Sequence, residues 1–349
     1  MQRKVSHMTP ITIYDIAREA NVSVSTVSRV LNDTAPVRAS TREKIMSIIE
    51  KHQFQPNALA RSLIKKETGT IAIILPDITN PFFPEVFWGA ENEARGLGYT
   101  FFLCNTAGDH GRESEYLSIL REKRVDGIIF LGGRINLQNC PEEMAQELIE
   151  MGKRQPIVLV NGNLARSGFH RVYTDEAAGA MQAAEHLLTL GHREIAFVGG
   201  LQKMSTTMVK VKAVQKKLQE YGLEIPKERL RLGSFSIDDG KRLMSELLEQ
   251  DNPPTAVICV NDYTAIGAIK AAINHGLSIP NDISIVGFDD TPLASAVIPE
   301  LTTVSQNTYQ LGKLAVDVLH ELINQGKPRK QTILQPQLVV RQSTGPVSR

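Results

Sequence analysis

The stretch "VSVSTVSRVLND", residues 22–33, sets Val24, Ser25, Ser28 and Arg29 one, three and four residues apart. On a helix they share one face. Such a face carries the chemistry of base-edge reading: arginine pairs bidentately with guanine, serine bonds several bases, and valine meets a thymine methyl. Thr26 and Ser28 suit phosphate oxygens, contacts that position without specifying. A second set of polar and aromatic groups follows short apolar runs farther on: Phe82 and Phe83, Asn161, Asp175, Asn261–Asp262, and Asp289. Open α/β sheets bind ligands at the carboxyl ends of strands. Asp289–Asp290 has the form of a catalytic or Mg²⁺-binding pair, yet polar residues in that place also serve plain ligand binding.

Elements must hold these residues. Thr12 and Asp15 form a capping-box start, and Ile13, Ile16, Ala17 and Ala20 then fall on one helical face. "NVS" makes a short turn, and Ser23 caps a second helix whose inner side is Val27, Val30 and Leu31. A third helix opens at Ser40 with Glu43 completing an S-x-x-E box; it buries Ile45, Ile48 and Ile49, and Phe54 closes the core. Two short helices across a tight turn, braced by a third, predict a helix-turn-helix whose second helix enters the major groove. The bland alternative is a three-helix bundle with a polar outer face. Charge argues for the former. Residues 1–66 hold 11 Lys/Arg against 5 Asp/Glu, a balance of +6, while the other 283 hold 28 against 33, a balance of −5.

Beyond residue 69 the runs "TIAIILP", "YTFFLCN", "DGIIFLG", "PIVLVN", "EIAFVGG", "AVICVN" and "ISIVGFD" alternate with helical patterns at 82–97, 111–123, 175–190, 205–221, 237–250 and 261–276. This alternation predicts parallel sheets covered on both faces. So many strands divide more readily into two lobes with a cleft between them. There is no G-x-G-x-x-G, P-loop, H-E-x-x-H or G-x-S-x-G, so no enzyme and no cofactor is expected. The eight histidines lack metal-ligand spacing, and Cys104, Cys140 and Cys259 read as reduced thiols. No long apolar run or signal-peptide core is found, which predicts a cytoplasmic protein.

The segments "TIYDIAREANVSVSTVSRVLN", "TREKI" and "PNALARSL" resemble the lactose/galactose repressor (LacI/GalR) family of bacterial transcription regulators. The likeness runs on through "ITNPFF", "VDGIIF", "HLLTLGHREIAFVGG", "VNDYTAIGAIKAAINHGLSIPNDISIVGFDD" and "PELTTV", in the family's order over nearly the whole chain. It implies an all-α helix-turn-helix head (1–56), a hinge helix and linker (57–68), and an α/β two-lobed type I periplasmic-binding-protein-like effector domain (69–349). Lobe one is expected at about 69–170 and 300–327, lobe two at about 171–299 and 328–343. Family chains start just before the first helix, which makes Met8 a candidate start. Candidate DNA contacts then include Thr12, Tyr14, Ser23 and Asn32 beside the recognition face.

In the hinge, "QPNALARSLI", Asn57 caps a helix too short to be stable alone. The resemblance implies that Leu59 and Ala60 pack on the partner subunit while Leu63 wedges into the minor groove. The implied protein is a homodimer that binds operator DNA as a repressor and is controlled by a small sugar-like effector; no heptad follows residue 343 to build a tetramer. In the cleft it implies that Phe82 and Phe83 stack on the effector, while Asn161, Asp175, Asn261, Asp262 and Asp289 hold its polar groups. Plainer roles stay open: core for the phenylalanines, helix caps for Asp175, Asn261 and Asp262.

The family's R-x-x-G-[YF] pattern is missing. "MSTTMVKVKAVQKKL" puts Lys210 at the arginine position and Ala213–Val214 where Gly-aromatic belongs. Lysine is a point charge without arginine's fork, and it leaves room for an anionic effector. "LASAVIPELTTV" also lacks the basic residues that some members present to a phosphorylated protein partner. A periplasmic-type binding protein without DNA function would need the reverse arrangement, with a signal peptide and no basic head.

Overall fold

The computed structural model describes residues 11–32, 35–54 and 67–347, in two compact units divided between Thr68 and Gly69. The head consists of α1 (Ile13–Ala20), α2 (Val24–Asn32) and α3 (Ala39–Lys51). The capping box forms: Asp15 N donates to Thr12 Oγ1 at 3.4 Å, and the Asp15 carboxylate accepts from Thr12 N at 3.0 Å. Asn21, at φ 56°, ends α1 in the left-handed conformation. Thr26 N then donates to Ser23 Oγ at 3.2 Å, which caps α2. The Ser40–Glu43 box does not form. Helix α3 begins at Ala39 with Arg38 in the capping position, so Ser40 already lies inside its first turn. Ile16, Ala17, Ala20, Val27, Val30, Ile45 and Ile48 are buried together, with Leu31, Ile49 and Phe54 at the margin. Replacing Thr12 with Ala should cost the head about 1 kcal/mol, read as roughly fivefold faster amide exchange in α1 of the full chain.

The body holds two six-stranded sheets. The first contains β1 (Thr70–Leu75), β2 (Thr100–Asn105), β3 (Gly127–Leu131), β4 (Ile157–Val160), β5 (His170–Thr174) and β11 (Gln331–Leu334). The second contains β6 (Ile195–Val198), β7 (Leu230–Arg231), β8 (Ala256–Cys259), β9 (Ser284–Asp289), β10 (Thr302–Ser305) and β12 (Gln337–Val339). Their orders, β11-β5-β4-β3-β1-β2 and β12-β10-β9-β8-β6-β7, repeat one plan. Every pairing is parallel except β10 with β12. Each order reverses between its first and third strands, at β1/β3 and at β6/β8, and the crevice there is a ready ligand site.

Helices cover both faces. On the first sheet, α4 (Phe82–Gly96) and α12 (Thr308–Ile323) take Ile71, Ile73 and Leu75, while α5 (His110–Lys123) and α6 (Glu142–Gly152) take Ala72 and Ile74. The two-residue alternation of β1 thus feeds two cores, which explains why the strand reads as continuously apolar. On the second sheet, α7 (Glu176–Thr189) and α8 (Ser205–Gln219) lie on one face, with α9 (Ile237–Leu248), α10 (Asp262–Asn274) and α11 (Pro292–Ala296) on the other. Helices α4 and α12 touch backbone to backbone. A Cβ on Gly89 would overlap the carbonyl of Tyr309, and one on Gly312 that of Val86.

The chain crosses between lobes at different places from those the sequence predicts. Strand β5 stays in the first sheet, paired with β4, so the first crossing follows Thr174. Strand β10 pairs with β9 in the second sheet, which moves the next crossing past Ser305. Strand β11 returns beside β5, and β12 joins β10, which moves the third crossing from the expected 327/328 to near 335–336. Short edge strands such as "QTIL" carry too little pattern to be assigned to a lobe from sequence. Among the described residues, no helix is long and apolar enough to cross a membrane. Cys104 and Cys259 are buried and Cys140 is partly exposed, all three unpaired.

Candidate functional site

On the outer side of α2, Ser25 and Arg29 are exposed, and Thr26 and Ser28 are half-covered. Val24 differs from expectation, since its side chain packs partly against the head core. The cap organises the first turn: the Ser23 hydroxyl lies 2.7 Å from that of Ser25 and 2.8 Å from that of Thr26. These hydroxyls stand at the helix N-terminus, whose dipole favours phosphate. Thr12 is exposed, although its hydroxyl donates to Asp15 at 2.6 Å, and Tyr14 is 66% exposed. Asn32 ends α2; its side chain, with Asn57, Ala60 and Leu63, lies outside the described residues.

In the body a cavity of about 470 Å³ opens between the lobes, a size suited to a small ligand. Its walls are the carboxyl ends of strands from both sheets. From lobe one come Asp77, Phe82, Phe83, Gly132, Gly133, Asn136 and Asn161; from lobe two come Glu176, Lys203, Lys210, Phe235, Asn261, Asp289 and Gln306. Six of the eight sequence candidates therefore meet here: Phe82, Phe83, Asn161, Lys210, Asn261 and Asp289.

Asp175 and Asp262 do not line it. Asp175 accepts from Ala178 N at 3.0 Å and caps α7. Asp262 is buried behind the wall, where it accepts from Thr291 N at 2.7 Å, Thr291 Oγ1 at 3.0 Å and Thr303 Oγ1 at 2.5 Å. It stitches α10 to β10 and to the start of α11. Asn261 lines the cavity, but its amide is spent on capping α10 through Thr264 N (2.9 Å) and on the Phe235 carbonyl (3.1 Å).

One hydrogen-bond chain runs across the crossings. Asn161 Nδ2 donates to Gln306 Oε1 at 2.8 Å, and Gln306 Nε2 donates to Asp289 Oδ1 at 2.7 Å. Asn161 also receives Thr174 N at 2.9 Å. Both strand ends are strained, with Asn161 at φ 45° and Asp289 at φ 113°, a state that non-glycine residues keep only when their surroundings enforce it. At the rim, Tyr263 Oη reaches the Thr79 carbonyl at 2.7 Å and Gln138 N reaches that of Lys203 at 2.9 Å.

The electrostatics are concentrated at the deep end. Lys210, 5% exposed, contacts Glu176 Oε1 at 3.1 Å, donates to the Val260 carbonyl at 3.1 Å and sits 3.8 Å from the Phe288 ring centroid. Burial raises the Glu176 carboxyl above its ordinary range, against the pull of Lys210. Burial likewise raises Asp289 well above its ordinary range, with Asp262 adding to the effect and Lys210 opposing it. Lys210 is thus already neutralised, and the room it seemed to leave for an anion is taken by Glu176. Glu176, Asn136, Phe235 and Gln306 were missed in the sequence. Glu176 had a signal, since once Asp175 is recognised as a cap, its neighbour begins the helix facing the cleft.

Comparison with known proteins agrees with both units. Residues 12–57 match the model for bacterial regulatory proteins of the lacI family, and residues 184–344 match the periplasmic binding protein-like domain. Over 341 residues the chain is 37% identical to the HTH-type transcriptional regulator DegA of Bacillus subtilis (strain 168), spanning 97% of this chain and 99% of that one. Among solved structures it is similar to the lac repressor dimer bound to operator and the anti-inducer ONPF, at TM-score 0.85 and 27% identity over 97% of this chain and 100% of that chain. It is also similar to the transcriptional regulator CelR–cellobiose complex, at TM-score 0.72 and 26% identity over 95% and 99%. On an identity of 37% across nearly its whole length, this chain belongs to the lacI family of bacterial regulatory proteins.

Proposed function

We propose that the chain is a cytoplasmic, homodimeric transcriptional repressor that binds a near-palindromic operator and is controlled by a small sugar-like effector in the inter-lobe cleft. It is a regulator and not an enzyme. The observation that carries the effector reading is the Asn161–Gln306–Asp289 chain, in which one small ligand can engage both lobes where the backbone crosses between them. By linkage, a ligand that fits one lobe arrangement better shifts the protein toward it, with a typical coupling of about 1–3 kcal/mol. The likeness to a repressor dimer on its operator supports the DNA partner, and the likeness to a regulator holding cellobiose supports a sugar. An apolar surface on lobe one supports the dimer: Trp88, Phe102 and Tyr309 are exposed around α4 and the edge strand β2. Two-fold symmetry would then give each half-site one copy of α2.

The test is a gel-shift titration with DNA from upstream of the chain's own operon, with and without a cell metabolite extract. Salt-sensitive, sequence-selective binding that the extract alters is the expected result; its absence would sink the reading. Within that assay, Arg29→Ala should cost about 1–3 kcal/mol and relax preference at one base position. Unchanged discrimination among operator variants would remove Arg29 from base reading.

A further inference from the structure

We propose that the amino edge of the lobe-one sheet is a second DNA-binding surface, which holds duplex phosphates while α2 reads bases. The inference rests on the operator-binding reading above and adds a surface to it. It starts from strand direction. The strands of that sheet all run parallel, so the connections that lead into them arrive at one edge. These connections are 67–69, 97–99, 124–126, 153–156, 161–169 and 324–330, and they hold seven Lys/Arg against two Asp/Glu.

Lobe two is an internal control. It repeats the same plan, yet the connections entering its parallel strands β6 to β10 hold three Lys/Arg against eight Asp/Glu. Cations near helix C-termini complement the helix dipole, which is the plain explanation of a basic edge. That explanation applies to both lobes alike, and only one of them is basic. The excess has a cause particular to lobe one.

The cations form a row and are available. In the order β11-β5-β4-β3-β1, Lys327 and Arg329 precede β11, Arg154 precedes β4 and Arg124 precedes β3. All four are exposed, and among the described residues none of their side chains has an ion-pair or hydrogen-bond partner. Adjacent strands lie about 4.8 Å apart, so the row from β11 to β3 is about 15 Å long. Each DNA strand presents roughly one phosphate per 3.4 Å, enough for several contacts along it. Asp126, in the connection to β3, is turned to the backbone, where it accepts from Gly69 N at 2.7 Å and Thr70 N at 3.3 Å. Exposed Glu122 and Glu321, near the ends of α5 and α12, leave the excess standing. Connectivity names the occupant. The chain leaves the head at Thr68 and starts β1 at Thr70, beside β3 on this same edge. A duplex gripped by the head is thus tethered to the row, and its charge is the complement of the row.

The experiment measures the affinity of the full chain for its operator, in a duplex with flanking DNA, from about 50 to 200 mM salt. The variant combines Arg154→Gln, Lys327→Gln and Arg329→Gln. A control removes the same charge from exposed helical positions of lobe two, through Lys212→Gln, Lys216→Gln and Lys241→Gln. Each lost phosphate contact makes the slope of log affinity against log salt shallower by about 0.9, so the variant should lose up to about 2.7 and bind at least about tenfold more weakly at low salt. Its preference among operator variants should match the wild type, because phosphate contacts position without specifying. The control should keep the wild-type slope. Lys327→Gln with Arg329→Gln alone should lose up to about 1.8, which keeps the test decisive if the triple variant misfolds. An unchanged slope overturns the inference and leaves operator binding standing. Equal losses in variant and control also overturn it, since overall charge would then be responsible. If the wild type shows no selective binding, the operator reading fails and the inference fails with it.

Discussion

Lys210→Met is expected to destabilise the body by about 3–5 kcal/mol at neutral pH, because removing one partner strands buried charges. The lysine is the cation that Glu176 and Asp289 share, and methionine fills its volume without replacing its charge. The loss should depend on pH, with a definite sign. Burial already holds both carboxyls above their ordinary range, and without Lys210 they rise further. A carboxyl whose folded pKa exceeds its unfolded value binds more protons in the native state. Stability therefore improves as pH falls through the raised value toward about 4, each pH unit being worth up to about 1.4 kcal/mol per group. Asp262, pushed up to about 7 by burial despite its bonds from Thr303 and Thr291, contributes the same sign in both proteins. Urea unfolding at mildly alkaline and mildly acid pH should show the deficit shrinking in acid. Adding Glu176→Gln to the variant should recover more than about 1 kcal/mol. A deficit that ignores both pH and the second substitution would mean that Lys210 acts through packing alone.

Much of this was legible in the sequence, for physical reasons that differ by element. The head could be read because its signals are local: Thr12 with Asp15, the turn at Asn21, and Ser23 before α2 all act within four residues. The Ser40 box misled because a capping motif is a preference, and Arg38 began the helix without a side-chain bond. In the body, seven strands were plain from their apolar runs, whereas β5, β7, β10, β11 and β12 were not. Lobe membership there is set by pairing across the sheet, and for β11 the partner β5 lies far away in sequence.

The cleft divides in the same way. Phe82, Phe83, Asn161 and Asp289 were found because they stand at or shortly after the carboxyl ends of strands, where this architecture binds. Asp175 and Asp262 also follow strands, yet cap and stitch respectively, since a carboxylate near a helix start serves the backbone as readily as a ligand. The partnership of Lys210 with Glu176 joins residues on two helices, and no periodicity reports it.

Arg134 carries the other large expectation, and no motif announces it. Arg134→Met should cost about 3–5 kcal/mol, and Arg134→Lys about 2 kcal/mol, a change that would pass as conservative on a surface. The side chain is 0% exposed, and every guanidinium N–H has a partner. Nε donates to Glu113 Oε2 at 2.6 Å; one terminal nitrogen reaches Glu147 Oε2 at 2.6 Å and the Met144 carbonyl at 3.1 Å; the other reaches Ser114 Oγ at 2.8 Å and the His110 carbonyl at 3.1 Å. Lysine has three donors and no plane, so two acceptors are orphaned even if it reaches the site. The cost should extend to binding. Arg134 sits in the short 3₁₀ turn Gly133–Asn136 that forms one cavity wall, and its own N–H is held by Glu113 Oε1 at 3.2 Å. Gly133 has φ 66°, and a Cβ there would strike the Glu113 carboxylate, so the turn is shaped around this one pair. Once the network loosens, Asn136 and the glycine wall lose their fixed position, and effector affinity should fall by about tenfold or more in molecules that remain folded. Urea unfolding and calorimetric titration of both variants measure the two effects separately. If the lysine variant matched the wild type in both, the guanidinium geometry would be incidental, and the wall would owe its shape to the glycines alone.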